Sequence, residues 1–318
     1  LHARSVAQHL GIPLLEVDFV KEYWHEVFSP FLEAYADGFT PNPDLFCNKE
    51  IKFKAFYQYI REQGFDAMAT GHYCRVGRLG EDRPHEVQLL RGVDPNKDQS
   101  YFLALIEHEA LQHTIFPLGD LHKRQVRELA HQCAIPVADR RESMGICFIG
   151  KRNFRSFLHQ YVPPRPGHFV DVDSGRALGP HQGWHTYTVG QRALIGGMPQ
   201  RLYVCSKDAA SGNVMVCSHR EHPALLADTL RLHKQATHWI SPLGAPPAGD
   251  ETPLQVQIRH LGEAYPCVLK PHSQDPDLLL VRLVSGSRAW GAACGQGAVL
   301  YAGEVCLGGG VIVGVGDE

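Results

Sequence analysis

The chain has 318 residues, 44% of them hydrophobic and 20% charged, with a formal net charge of −3. That composition excludes an intrinsically disordered chain, and no apolar run reaches the roughly 18 residues of a membrane-spanning helix. The length predicts two or three domains, and the near-neutral charge by itself argues neither for nor against nucleic acid.

Leu1 to Leu10 carries a helical apolar pattern that stops at Gly11, a residue suited to helix C-termini. Ile12 to Phe19 reads as a short buried strand, and a polar, aromatic helix is predicted from about Val20 to Tyr35. Lys49 to Glu62 reads as a helix with Ile51, Phe53, Phe56 and Ile60 on its apolar face, and Phe65 to Thr70 as a compact strand entering Gly71-His72-Tyr73. Strands alternating with helices predict a parallel α/β sheet, with ligands at the C-terminal ends of its strands. From Asp98 to Gln160 the pattern is mostly helical, most clearly over Lys123 to Gln132. Between Asp120 and Arg165 nine Lys or Arg stand against four Asp or Glu, a run that suits either a solvated face or a phosphate-facing one. Composition changes at Pro163-Pro164-Arg165-Pro166-Gly167. A small β-rich domain is expected to about residue 224, followed by a C-terminal β-barrel in which Leu254 to His260, Leu278 to Val284, Ala298 to Tyr301 and Val311 to Val315 are strands. The expected units are 1–160, 161–224 and 225–318.

Nine cysteines, odd in number, spread out and without a Cys-x-x-Cys pair, argue against a disulfide framework and a zinc ribbon. Reduced thiols inside a cell are the expected state. His108 and His113 are five apart, so they do not share a helix face as the four-residue zinc motif requires, and no metal site is expected. The first residue is Leu1, and the sequence reads as beginning inside a domain, with any targeting segment upstream.

Two segments carry chemistry. In Pro41-Asn42-Pro43-Asp44-Leu45-Phe46-Cys47-Asn48-Lys49 two prolines stiffen a loop, and Cys47 stands at the threshold of a helix bearing Lys49 and Lys52. A helix N-terminus and nearby ammonium groups favour a thiolate, and Asp44 stands within range to act as an acid or base. In Gly145-Ile146-Cys147-Phe148-Ile149-Gly150 the glycines predict a movable loop, and Arg140, Arg141, Lys151 and Arg152 again favour thiolate. Taken singly, each cysteine also suits an ordinary buried position.

Together with Ala69-Thr70-Gly71-His72-Tyr73, Lys97-Asp98-Gln99-Ser100-Tyr101-Phe102 and Gly303-Glu304-Val305-Cys306-Leu307-Gly308-Gly309-Gly310, these segments stand in the order found in the tRNA-uridine 2-sulfurtransferases. The sequence resembles that family from Leu1 to about Gly310. Gly150 to Phe154 and Gly183 to Ala193 look more like its mitochondrial members than its bacterial ones. The resemblance implies a parallel-sheet ATP-pyrophosphatase domain, incomplete at its N-terminus, then the small central domain and the barrel. It also implies formation of 2-thiouridine at the tRNA wobble position. ATP, with Mg as its counter-ion, adenylates the uridine C2 oxygen, and a sulfur-donor protein loads a persulfide on Cys147. Cys47 then attacks it to release the sulfur, leaving a disulfide. Asn42, Pro43 and Asp44 would lie at the target base and Gly71 at the nucleotide, while His72, Lys97, Asp98, Gln99, Arg259, His260 and Gln296 would contact tRNA.

One departure matters. The family's Ser-Gly-Gly-x-Asp-Ser loop for ATP pyrophosphate occurs nowhere in these 318 residues. The residues present therefore do not support adenylation, and weak or absent activity is expected of this chain alone. A tRNA-binding protein without catalysis is the second reading, against which both retained thiols speak. An ATP-pyrophosphatase acting on a small molecule is the third, against which the cysteine pair and the barrel speak. Whether the two thiols lie close together is left open by the sequence.

Overall fold

The computed structural model describes residues 2–78, 86–140, 147, 150, 154–241, 244, 246 and 253–316. Helix α1 (His2–Leu10) closes at Gly11, whose φ of +65° lets its N–H and that of Ile12 return to the carbonyls of Gln8 and Ala7. The strand expected over Ile12 to Phe19 is absent. Residues 11–18 are exposed coil, with Ile12 54% and Leu15 62% exposed. A strand is held by a neighbour's ladder, and no described strand lies beside this segment to supply one.

Helix α2 spans residues 20–36, in which the π-helical stretch Trp24–Phe28 lies between α-helical Val20–Tyr23 and Ser29–Ala36. Helix α3 spans residues 43–62, with a π-helical stretch Cys47–Ala55 between α-helical Pro43–Phe46 and Phe56–Glu62. The two pack through Val27, Phe28, Phe31, Tyr35, Cys47 and Ile51. Strands β1 (Met68–Ala69), β2 (Cys74–Arg78), β3 (Val87–Arg91) and β4 (Thr114–Ile115) follow, and β1 pairs with β4 in parallel. The expected strand over Phe65 to Thr70 is thus shorter than its apolar run. Helices α4 (His108–Gln112), α5 (Lys123–Gln132) and α6 (Phe154–Leu158) complete the unit. Helix α5 has the predicted bounds and buries none of its residues.

The central unit is a five-stranded sheet, β5 (Gly167–Asp171), β6 (Ala177–His181), β7 (Arg192–Ala193), β8 (Leu202–Lys207) and β9 (Val214–Cys217), in the order β6-β5-β9-β8-β7. Phe169, Trp184, Val204, Val214 and Val216 fill its core. The third unit opens with β10 (Leu226–Ala227), β11 (Thr229–His233), β12 (His238–Trp239), β13 (Leu254–Gln257), β14 (Ala264–Pro271) and β15 (Leu278–Leu283). It ends with β16 (Ala289–Trp290), β17 (Gly297–Ala302) and β18 (Val305–Val315). Strands 11, 15, 14, 13, 17 and 18 close into a barrel because β11 pairs with both β15 and β18. The alternation read in Leu254 to His260 ends early, since β13 stops at Gln257 and Leu261 turns the chain at φ +55°.

The first unit also joins the barrel sheet. The hairpin β2–β3, which the sequence reading did not anticipate, adds to β18 through Leu90 opposite Val305 and Leu89 opposite Cys306. One apolar core accordingly runs through Leu45, Phe53, Leu89, Tyr101, Val299, Tyr301 and Cys306. Each such side chain contributes about 1.5–3 kcal/mol when buried, so the first and third units stabilise one another.

Candidate active site

The stiff loop builds the site. Asn42, in extended backbone, accepts a hydrogen bond at its side-chain oxygen from Asp44 N–H at 3.1 Å, and Pro43 occupies the first helical position. That is a helix N-cap followed by a residue with no N–H to satisfy. Helix α3 therefore starts before Cys47, and the cysteine lies in its second turn rather than at its threshold. Spacing of three residues puts Asp44 and Cys47 on one helix face. Asn48 donates to the Asp44 carbonyl at 2.9 Å and accepts from Lys52 Nζ at 2.9 Å, so this face is cross-braced.

Cys147 meets that face from 100 residues away. Its N–H donates to Asp44 Oδ1 at 3.3 Å, and its carbonyl accepts from the Tyr23 hydroxyl at 2.9 Å. Its side chain lies within hydrogen-bonding reach of Cys47, and both thiols are reduced. Cys47 is fully buried and Cys147 is partly exposed, so the second thiol is the one a reactant reaches first.

The electrostatics differ from the expected thiolate. The Cys47 thiol is pushed up by its hydrogen bond with Cys147, then by burial and by the Cys147 charge; Lys52 pulls down by less than any of these, and Asp44 adds a smaller push. Lys49 is occupied by Glu50 at 3.1 Å. Cys47 is thus held as a neutral thiol, because burial and a like neighbour outweigh one ammonium group. The glycine and cation setting read around Cys147 falls largely on residues 141–146, 148–149 and 151–153, outside the described ones.

The other residues singled out in the sequence divide into two places. Gly71 is exposed, and a side chain there would meet only Leu118, at 3.9 Å. His72 beside it is hydrogen-bonded to Thr70 at 2.8 Å and lies against the Phe53 and Phe116 rings. Burial, helped by Lys52, lowers its pKa to about 3, so it carries no positive charge for a phosphate at neutral pH. Asp98 is buried. Its carboxylate accepts from Arg91 at 3.0 Å, from the Gly92 and Ser100 N–H groups at 3.0 and 3.1 Å, and from the Ser100 hydroxyl at 3.0 Å. A carboxylate so engaged holds its own loop and offers no oxygen to RNA in this arrangement. Gln99 is tied to Tyr73 through backbone and side chain, and Lys97 lies half-buried beside it.

Arg259, His260 and Gln296 stand where the barrel meets the first unit. Arg259 lies past the end of β13, donates to the carbonyls of Trp290 and Gly291 at 2.5 and 3.1 Å, and covers the Trp290 ring. His260 reaches the Asp98 carbonyl at 2.8 Å and packs against Phe102, with ring centroids 4.4 Å apart and planes tilted by 39°. Gln296 Nε2 donates to the Thr40 carbonyl at 2.6 Å, and Thr40 N–H donates to the Cys294 carbonyl at 2.8 Å. The last contact holds the segment that leads into Asn42 and Cys47.

Comparison with known proteins agrees with this architecture. A family model described as "tRNA methyl transferase HUP domain" matches residues 1–151, a "PRC-barrel domain" of the same series matches 155–218, and an "Aminomethyltransferase beta-barrel domain" matches 229–312. The mitochondrial tRNA-specific 2-thiouridylase 1 of Homo sapiens is 42% identical over 341 residues, covering 99% of this chain and 79% of the relative. The chain belongs to the tRNA-specific 2-thiouridylase family. Its mouse relative is 43% identical, with 99% and 80% covered, and the 2-thiouridylase MnmA of Chlamydia felis is 44% identical, with 97% and 82% covered. Two residues at the thiol pair escaped sequence reading. Tyr23 and Asn48 are buried polar residues at the thiol pair, and neither sits in a pattern that marks it among ordinary helix residues.

Proposed function

We propose that the chain is a sulfurtransferase that forms 2-thiouridine at the wobble position of tRNA, with Cys147 as sulfur carrier and Cys47 as the thiol that releases the sulfur. The observation that carries the reading is the meeting of two reduced cysteines, one partly exposed and one buried, against a single carboxylate. A donor persulfide, R–S–SH, transfers its outer sulfur to Cys147, giving Cys147–S–SH and R–SH. That outer sulfur bonds to uridine C2 as the C2–oxygen bond breaks, the oxygen leaving as water with the persulfide proton and the proton that Cys47 gives up. Cys47, giving up its proton, then attacks Cys147 Sγ, so that the outer sulfur stays on the base and a Cys47–Cys147 disulfide forms. An external thiol reductant supplies two electrons to restore both thiols. Asp44, whose oxygen already takes the Cys147 N–H, is the group for that proton.

ATP, with Mg, belongs to the family reading as the agent that activates the C2 oxygen. A side chain at Gly71 would meet only Leu118, at 3.9 Å, so the described residues around it do not enclose a phosphate. The partners proposed are tRNA and a persulfide sulfur-donor protein, and the compartment proposed is the mitochondrion, on the likeness to the mitochondrial vertebrate relatives.

The test is independent of ATP. The chain is incubated with a labelled persulfide donor, and bound sulfur is located by peptide mass mapping. Wild type and Cys47→Ser should carry label on Cys147, and Cys147→Ser should carry none. Equal labelling of Cys147→Ser and wild type would remove the carrier assignment.

A further inference from the structure

Away from the thiol pair, one cavity is walled by all three units and collects their cations. Its volume is about 370 Å³, within the range of small-ligand pockets. The segment after α2, including Asp37 and Thr40, supplies one wall, β8 brings Lys207, β11 brings Arg231, and the turn before β17 brings Cys294.

The two cations are unusually placed. Lys207 is half-buried, lies near the Trp184 ring and donates to the Tyr187 carbonyl at 2.9 Å, with no ion pair to a described carboxylate. Burial brings its pKa down to about 8, which still leaves it charged at pH 7. The guanidinium of Arg231 packs over Gly314, in the space that a Cβ there would take, and makes no hydrogen bond or ion pair with a described residue. Both cations act on the Cys294 thiol, so they converge on one region of the cavity. Asp37 is the one acidic side chain among the described lining residues, and it pairs with neither cation. Two like charges held in a part-dry cavity repel, and an occupant carrying negative charge would reverse that cost.

We propose that this three-unit cavity binds a phosphate-class oxyanion through Lys207 and Arg231. The source is either a free anion or a backbone phosphate of RNA; the second rests on the tRNA reading above, the site itself does not. Its position gives it a consequence. The wall formed by Thr40 is the segment hydrogen-bonded to Cys294 and Gln296, and it runs into the Asn42 cap of the Cys47 helix. An anion clamped by β8 and β11 braces that segment from behind.

Cys294, partly exposed in the cavity, is a built-in reporter. Its iodoacetamide alkylation in the full chain would be followed by peptide mapping at pH 7, with exposed Cys133 as internal control and chloride at matched ionic strength as the blank. Inorganic phosphate should slow Cys294 selectively. Lys207→Gln and Arg231→Gln should each weaken the apparent phosphate affinity about tenfold, the scale of one charge-assisted hydrogen bond. If tRNA also protects Cys294, and Lys207→Gln lowers the salt slope of tRNA binding by about one, the anion belongs to RNA. If phosphate protects and tRNA does not, the site takes a free anion. Absence of protection by either in wild type, or undiminished protection in folded variants, would overturn the proposal. The wild-type titration decides even where a variant fails to fold.

Discussion

Gly295→Ala tests the junction that places the Cys47 helix. Gly295 has φ +95°, and an added Cβ would lie 2.7 Å from both N and C of Thr40 and 2.9 Å from Pro41 N. Left-handed backbone costs a non-glycine residue about 1–2 kcal/mol. Overlap with a neighbouring backbone cannot be relieved by a rotamer change and adds about 1–3 kcal/mol, for a total of about 2–5 kcal/mol. Gly303, in the β17–β18 turn, has φ +60° and nothing within 4 Å of its added Cβ, so Gly303→Ala reports the conformational part alone. Thermal unfolding of both variants beside wild type then isolates the contact. At about 2–4 °C per kcal/mol for chains of this order, Gly295→Ala should melt several degrees below Gly303→Ala. Equal melting temperatures would show that the barrel turn does not bear on Thr40 and would refute the claim that the third unit positions the cysteine loop.

Cys47, held neutral by Cys147 and burial, should alkylate far more slowly than Cys133 at pH 8, and Cys147→Ser should raise its rate; a Cys47 midpoint at or below about 8.5 would contradict this. The sign for stability follows, because a thiol whose pKa is raised on folding contributes fully below its unfolded value and loses that contribution as pH rises above it. Alkaline titration of the melting temperature should therefore fall less steeply in Cys47→Ser. Asp98→Ala leaves two backbone N–H groups without their acceptor and Arg91 with the Gln257 amide oxygen in place of a carboxylate, and should cost about 3–5 kcal/mol by denaturant unfolding, whereas Asp98→Asn should recover part of it. Asn42→Ala removes the N-cap of α3 and should cost about 1 kcal/mol, read as a shift in denaturant midpoint at constant slope.

The sequence made the barrel strands and α5 legible because their periodicity is local and their neighbours are regular. Ile12 to Phe19 misled because an apolar run records what a segment can bury, whereas a strand exists only if another edge is present to pair with it. The hairpin β2–β3 was missed for the converse reason. Its partner is β18, at the other end of the chain, and no local pattern encodes that pairing. At the site, the motifs pointed to Asp44, Cys47 and Cys147, and the structure brings the three together. What motif reading could not supply was the electrostatic sign. Lys49 and Lys52 stand close to Cys47 in sequence, but one is taken by Glu50 and the other is outweighed by burial and a second sulfur. Asp98 and His260, read as RNA contacts, turn inward to join the first unit to the barrel.

The pairing of Leu89 and Leu90 with Cys306 and Val305 also sets a timetable for synthesis. As the polypeptide leaves the ribosome, β3 emerges with an edge of backbone donors and acceptors that β18, made more than 200 residues later, satisfies. Until β18 arrives, that edge is open to wrong partners, including the same hairpin on a neighbouring nascent chain. Late truncations ending before Val305 should therefore damage the first unit as well as the barrel, and should do so through aggregation.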